Sequence, residues 1–420
     1  MRSLSCFILV TLLTTVSSSL LDKLGKAQLS ELVKTEFEKK DLDDIFDKEA
    51  FDKFEELFKD NKTHEFIDNL KGLSDKAKKS LKLSTEFRQK LKPDDSKNFN
   101  KFFGFIAKFE KEYHNDTHVS ESFKKFQSTL KRIEERQKES PKAKFGVNQF
   151  SDLTPEEFIA KHTGINGVEH LKQLHGNINS SKLLRSKRDT TQIPCNFDWR
   201  ENNGVTPVQN QGGCGCCYAF SAVGVIESQH LIHTGQTLHL SEEQVIACTN
   251  NVSKYHNHGC NGGTAPGVLD YVIENGITLA DNFKFTSGDG DHTVPACPSG
   301  KPYATKITKE EFLPSNDEDN LAKVVYEVGP IATYIDAGGI QDYKSGILDV
   351  AEPSGGWSIN HGVVIVGYGE ENGTKYWIFK NSWGPGWGDQ GFFKKDLGET
   401  VRQGSFLQVR RTAHGLPKHM

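Results

Sequence analysis

Beyond its first twenty residues the 420-residue chain has no apolar run long enough to cross a bilayer, so no membrane-spanning helix is expected. Surplus charge is missing as well, because 52 Lys and Arg stand against 56 Asp and Glu. A balance so near zero gives nucleic-acid binding no electrostatic support. Cysteine is sparse, with eight residues in all, and the Cys and His residues form no pair of ligand-spaced doublets. Zinc is therefore the weaker reading of the clustered Cys and His, and neither a metal nor a cofactor is expected. The length excludes one ordinary domain, and a processed precursor of two or three units is expected.

The charge that is present is unevenly placed. Residues 189–420 hold 16 Lys and Arg against 26 Asp and Glu, whereas residues 1–188 hold 36 against 30. Attraction between a basic N-terminal part and an acidic C-terminal part would weaken as carboxylates protonate. At the start, Met1-Arg2-Ser3 precedes apolar residues from Phe7 to Leu13 and then the small Ser17, Ser18 and Ser19. This is the pattern of a signal peptide over residues 1–19. It directs the chain to the secretory pathway, where disulfides persist, with a lysosomal or extracellular destination. Sequons at Asn61, Asn115, Asn179, Asn251 and Asn372 suit glycosylation on that route. Residues 20–97 alternate charged residues with Leu and Phe and read as a solvated helical extension of unknown role. Pro93-Asp94-Asp95-Ser96 reads as the linker that ends it.

Chemistry first emerges at Gln211-Gly212-Gly213-Cys214-Gly215-Cys216-Cys217, a tight glycine-rich loop running into apolar residues. Ala219, Phe220, Val223, Ile226 and Leu231 recur at helical spacing, so Cys217 falls at a helix N-terminus. There the macrodipole, and a nearby imidazolium if one is present, would favour the thiolate. Taken alone, the cysteine run also admits the lesser alternative that its members are simply disulfide partners. Two later segments decide between these readings. His361 opens the apolar run Val363-Val364-Ile365-Val366, and Asn381 closes Tyr376-Trp377-Ile378-Phe379-Lys380. Both read as buried strands, with His361 144 residues after Cys217 and Asn381 20 further on. That is the order and approximate spacing of a Cys-His-Asn protease.

Together these motifs resemble the papain-like cysteine protease family. Upstream, Phe123, Phe126, Leu130 and Ile133 share one helical face, and Gly146-Val147-Asn148-Gln149-Phe150-Ser151-Asp152 follows. Both are similar to the inhibitory propeptide of that family, although Ser122, Thr129 and Gln137 replace its usual polar residues. Arg185-Ser186-Lys187-Arg188 looks like a convertase site, shortly before Phe197-Asp198-Trp199, which resembles the start of a mature enzyme. The organisation expected is signal peptide 1–19, extension 20–97, propeptide and linker 98–188, and peptidase 189–420.

The resemblance implies an α+β, two-lobe fold, with a helical lobe and an antiparallel β-barrel-like lobe on either side of a cleft, preceded by a helical propeptide. It also implies a cysteine endopeptidase made as a zymogen, of the cathepsin L/F-like branch. Cys217 would attack the scissile carbonyl, His361 would protonate the leaving amine, and Asn381 would hold the imidazole. Trp383 would shield the Asn–His bond, and Gln211 would supply the side-chain donor of the oxyanion hole. Gly262 and Gly263 would pair with substrate backbone, and Thr264, Ala265, Tyr334 and Ile359 would line an apolar specificity pocket. Disulfides are implied between Cys214 and Cys260 and between Cys248 and Cys297. Once the signal peptide removes Cys6, Cys195 and Cys216 are left over, either as a further pair or as free thiols. The expected partners are protein and peptide substrates, the chain's own propeptide and cystatin-like inhibitors, acting on a monomer. The alternative is a catalytically silent relative with a binding or inhibitory role, which commonly lacks one of the four catalytic residues present here.

Overall fold

A computed structural model describes residues 73–92, 95–165, 192–289, 293–300, 302–313, 317–349, 358–397 and 406–410. The signal peptide, most of the extension, Asn61, Asn179 and the basic run at Arg185, Lys187 and Arg188 lie outside them. The chain forms two compact bodies. Among the described residues, those up to Lys131 with Val147–Leu153 make one; Arg132–Gly146 and those from Thr154 onward make the other.

The first body is built on phenylalanine. Helices α1 (Asp75–Arg88), α2 (Ser96–Lys108) and the start of α3 (Asp116–Glu139) bury Leu81, Phe99, Phe102, Phe103, Ile106, Phe123 and Phe126 together. The spacing of these residues puts one apolar stripe on each helix, and each buried ring contributes on the order of 2 kcal/mol. Phe102 stacks on Tyr113 at 5.7 Å and meets Phe123 and Phe126 at 5.4 Å. Residues 73–92 therefore pack into this core, where the 20–97 extension was expected to be solvated. Leu81 is fully buried, Phe87 packs 6.1 Å from Phe99, and the Tyr113 amide donates to Ser80 Oγ at 2.7 Å. Alone, α1 is too highly charged to announce a core; its few apolar residues count only against partners on α2 and α3.

The Gly-x-Asn-x-Phe-x-Asp stretch closes this body. Asn148 Oδ1 accepts the Phe150 amide at 2.9 Å, and Asp152 pairs with Lys111 at 2.8 Å while accepting the Tyr113 hydroxyl at 2.9 Å.

In the second body the end of α3 is tied to a strand. Gln137, in place of the family's usual residue, donates to the Ala143 carbonyl at 2.8 Å and accepts the Phe145 amide at 3.4 Å. Strand β1 (Ala143–Phe145) pairs antiparallel with β5 (Tyr343–Leu348), and Arg132 grips the buried Asp342 through Nε at 2.6 Å and Nη2 at 3.1 Å. Helix α4 (Pro155–His162) starts with a capping box between Thr154 and Glu157.

The helical lobe centres on α5 (Cys217–Thr234), buried from Cys217 through His230 and ended by left-handed Gly235. A helix apolar on nearly all sides belongs inside, and α6 (Glu242–Thr249) and α7 (Ala265–Asn275) surround it. The sheet lobe runs in the order β1-β5-β8-β7-β6-β4-β9-β3. It uses β3 (Lys309–Leu313), β4 (Ile331–Ile335), β6 (His361–Glu371), β7 (Thr374–Lys380), β8 (Phe392–Asp396) and β9 (Phe406–Arg410), with β2 (Phe197–Asp198) also on β6. Its pairs are antiparallel apart from β5 with β8, which the intervening strands carry across the sheet. The centre of this order places the first residue of β6 and the residue after β7 side by side.

Candidate active site

Cys217 is the first residue of α5, and its predecessor Cys216 supplies no side-chain cap. The free N–H groups of the first turn and the positive end of the helix dipole are therefore left to the thiol. The loop before it is fixed by the Cys214–Cys260 disulfide and by Gly212, whose φ of 58° is left-handed and whose missing Cβ would lie 2.5 Å from the Gly288 carbonyl. Strand β6 lands on the helix start. A Cβ on Gly362, the residue after His361, would come 3.1 Å from the Cys217 carbonyl.

His361 Nε2 bonds Asn381 Oδ1 at 2.8 Å, and that oxygen also accepts the Ser382 amide at 2.8 Å. An amide oxygen only accepts, so Nε2 carries the hydrogen and Nδ1 keeps its lone pair. Nδ1 is buried without a hydrogen-bond partner, as a base poised for a thiol proton would be. Trp383 stacks on the imidazole at 4.5 Å and 25°, and Trp387 meets Trp383 edge-on at 4.8 Å. Gln211 is fully buried; its Oε1 accepts the Ser382 hydroxyl at 2.6 Å, and its amide nitrogen donates to the Cys214 carbonyl at 2.8 Å. Ser382 thus braces both Gln211 and Asn381. Sequence reasoning passed over it, and no local pattern would have found it.

A stretch of backbone covers this array. Phe158 packs edge-on against Trp383 at 4.9 Å, and the His162 carbonyl accepts from Trp383 Nε1 at 3.0 Å and from Gln211 Nε2 at 3.2 Å. Gly164 and Ile165 donate to the Asn360 carbonyl at 3.0 Å, Gly164 accepts the Gly263 amide at 2.9 Å, and Ile165 pairs in parallel with Gly263. No side chain fits at Gly164, where a Cβ would lie 1.9 Å from the Gly215 carbonyl. Under this cover, burial pushes the Cys217 thiol up to about 12, and the amides of Gly362 and Gly164 only partly oppose it. Burial likewise pushes His361 down to about 4, with the Asn381 bond opposing it. The two groups are therefore neutral in the covered state, and the thiolate–imidazolium pair expected of the open enzyme is withheld by exclusion of water.

The expected specificity residues are placed as follows. Gly263 has no room for a side chain, its Cβ position being 2.3 Å from Asn257 Oδ1, and Gly262 has φ of 100°. The Ala265 amide donates to the Tyr334 hydroxyl at 2.9 Å. Ala265, Tyr334 and pro-segment Ile165 join one apolar cluster, with Ile359 packed against it, and Thr264 is buried alongside Ala265.

Disulfides link Cys214 to Cys260 and Cys248 to Cys297. A further bridge between Cys195 and Cys216 is not made. Cys195 is exposed while Cys216 is buried, turned toward the Cys214 carbonyl at 3.6 Å. Burial also drives the Cys216 thiol well above its ordinary range. The sequons Asn115, Asn251 and Asn372 are exposed.

A helix-start thiol, an oriented imidazole and a side-chain amide donor within one cleft are the equipment of acyl transfer through sulfur. Residues 193–405 match the papain family cysteine protease model, and residues 102–158 match the cathepsin propeptide inhibitor domain. The viral cathepsin of Antheraea pernyi nuclear polyhedrosis virus is 36% identical over 294 residues, covering 70% of this chain and 85% of that protein. Digestive procathepsin L 3 from Tenebrio molitor larval midgut matches with a TM-score of 0.63 at 28% identity, over 74% of this chain and 99% of that one. The proform of a ragweed pollen allergen cysteine protease gives a TM-score of 0.64 at 29% identity, over 78% and 98%. The chain belongs to the papain family of cysteine proteases. Its propeptide inhibitor domain makes it a zymogen.

Proposed function

We propose that Cys217 is the nucleophile, His361 the acid and base, Asn381 the residue that orients the imidazole, and Gln211 the oxyanion donor. On uncovering, the Cys217 proton passes to His361 Nδ1, and the thiolate adds to the scissile carbonyl. The oxyanion takes the Gln211 amide hydrogen now pointing at the His162 carbonyl, together with the Cys217 backbone N–H. His361 then gives its proton to the departing amine and takes one from the water that hydrolyses the acyl-enzyme. The observation that carries this reading is the 2.8 Å bond from His361 Nε2 to Asn381 Oδ1, which leaves Nδ1 without a partner on a strand whose next residue, Gly362, meets the Cys217 backbone.

Thr264, Ala265, Tyr334 and Ile359 form the main specificity pocket. Ile165, clustered with Ala265 and Tyr334, supports a preference for branched apolar side chains there. Gly262 and Gly263 receive substrate backbone, and Trp383 shields the His361–Asn381 bond. The chain enters the secretory pathway through residues 1–19, is glycosylated at exposed sequons and is cut after Arg188, so that mature enzyme begins near Asp189. The enzyme works as a monomer in lysosomes or outside the cell, open to cystatin-like inhibitors. Labelling acid-activated protein with a thiol-directed epoxide tests the catalytic assignment: the label should sit on Cys217, and a label elsewhere, or none, defeats it.

A further inference from the structure

Asn381 Nδ2 is buried and has no hydrogen-bond partner, although the same side chain's oxygen is doubly engaged by His361 and Ser382. Asn381 lines a small, partly open pocket of about 20 Å³ with Ser382, Gln209, Lys380, Glu227 and Glu242. That is room for one water, provided it finds polar partners. The charged lining residues differ in what they have left to offer. Glu227 accepts the Thr206 hydroxyl at 2.6 Å and the Leu240 amide at 2.9 Å, and Lys380 donates to Thr206 at 2.9 Å. Glu242, 4% exposed, takes its own backbone N–H and retains acceptor capacity.

We propose that one ordered water in this cavity accepts from Asn381 Nδ2 and donates to a Glu242 carboxyl oxygen, making Glu242 a positioning residue for the catalytic imidazole. An Asn amide has two orientations that differ only in which end faces His361. The observed one places Oδ1 on Nε2–H and leaves the Nδ1 lone pair for the thiol proton. The flipped one would present Nδ2 to Nε2, drive the ring hydrogen onto Nδ1 and remove the base. The Ser382 amide holds the oxygen end; the water and Glu242 hold the nitrogen end. Of the charged groups facing the same cavity, Lys380 favours charge on Glu242, while burial and the neighbouring Glu227 oppose it. This inference rests on the catalytic roles given above, but a crystallographic arm can be decided without them.

Two measurements test it on the full-length zymogen and on enzyme activated from it. A high-resolution crystal structure of the zymogen should show one water within hydrogen-bond distance of both Asn381 Nδ2 and a Glu242 oxygen. A dry cavity, or a water bonded to neither group, overturns the proposal. In activated enzyme, Glu242→Leu should lower kcat about tenfold with KM little changed and raise the apparent pKa for Cys217 alkylation. Glu242→Gln, which keeps an acceptor oxygen, should recover part of kcat. An unchanged kcat and alkylation profile in Glu242→Leu overturns the role; if that variant does not fold, the bridging water alone decides. Loss of kcat in a variant whose alkylation pKa is unmoved would also count against it, since a merely structural role predicts that pattern.

Discussion

The carbonyl oxygen of His162 lies 3.2 Å from the side-chain nitrogen of Gln211, so a backbone carbonyl of the pro-segment already occupies the donor proposed for a substrate's oxyanion. The same oxygen takes the Trp383 indole hydrogen at 3.0 Å. Inhibition here depends on main chain more than on side chains, which exposes it to a purely steric test.

Gly164→Val should break the cover, because even a Cβ at this position would lie 1.9 Å from the Gly215 carbonyl. Relieving such a clash by moving the segment costs on the order of 1–3 kcal/mol. Peptidase activity of unprocessed zymogen at neutral pH should then rise about tenfold or more. A variant as silent as the wild type would show that Phe158–Ile165 is not what holds the site closed.

Asn381→Ala should free the imidazole to rotate. We expect kcat to fall by about 10- to 100-fold while KM changes little, as when an interaction made in the transition state is removed. Trp383→Ala should act through the same bond, so the double variant should lose less than the two single losses combined. Clean additivity, or a change confined to KM, would place these residues in substrate binding.

The proposed catalytic residues were legible because their chemistry is local. Cys217 follows a glycine loop and starts a helix, and His361 and Asn381 sit at the ends of apolar runs. Ser382 was missed because a serine beside an asparagine has no pattern of its own; its role exists only once Gln211 folds back onto it. The covering of the site was illegible for a related reason. Carbonyls and amides at His162, Gly164 and Ile165 do the work, and every residue has those. Counting left Cys195 and Cys216 over, as a further pair or as free thiols; pairing needs proximity, and one is exposed while the other is buried. Leu81 and Phe87 were hidden among lysines and become core residues only when Phe99 and Phe123 arrive from other helices.

Leu81→Ala therefore tests the enlarged first body. A fully buried Leu truncated to Ala costs about 2–5 kcal/mol. Hydrogen exchange of the full-length zymogen should accelerate across Phe99–Phe126 and remain unchanged in Cys217–Thr234. Unaltered protection in Phe99–Phe126 would return residues 73–92 to the status of an appendage.

His361 predicts a pH signature in zymogen stability. Its folded value is depressed to about 4 by burial, against about 6.5 in an unfolded chain. The associated stability is present above about pH 6.5 and is lost as pH falls toward about 4, a difference on the order of 3 kcal/mol. Glu242 works in the opposite direction: burial raises it to about 8, so its contribution is present below about pH 4.5 and lost as pH rises through about 8. Comparing wild type with His361→Phe isolates the histidine. The stability difference between the two should change by that amount between pH 6.5 and 4, and a constant difference would mean that His361 is not buried neutral.

The account turns on Cys217 being a reactive thiol that the pro-segment keeps protonated. Its most direct test is the rate of iodoacetamide alkylation at Cys217, followed by peptide mapping from pH 4 to 9 in intact zymogen and in activated enzyme. Activated enzyme should be alkylated at Cys217 with an apparent pKa well below that of a free thiol, while Cys217 in the zymogen should react at least a hundredfold more slowly at neutral pH. Equal rates in the two forms, or modification of Cys216 in place of Cys217, would contradict it.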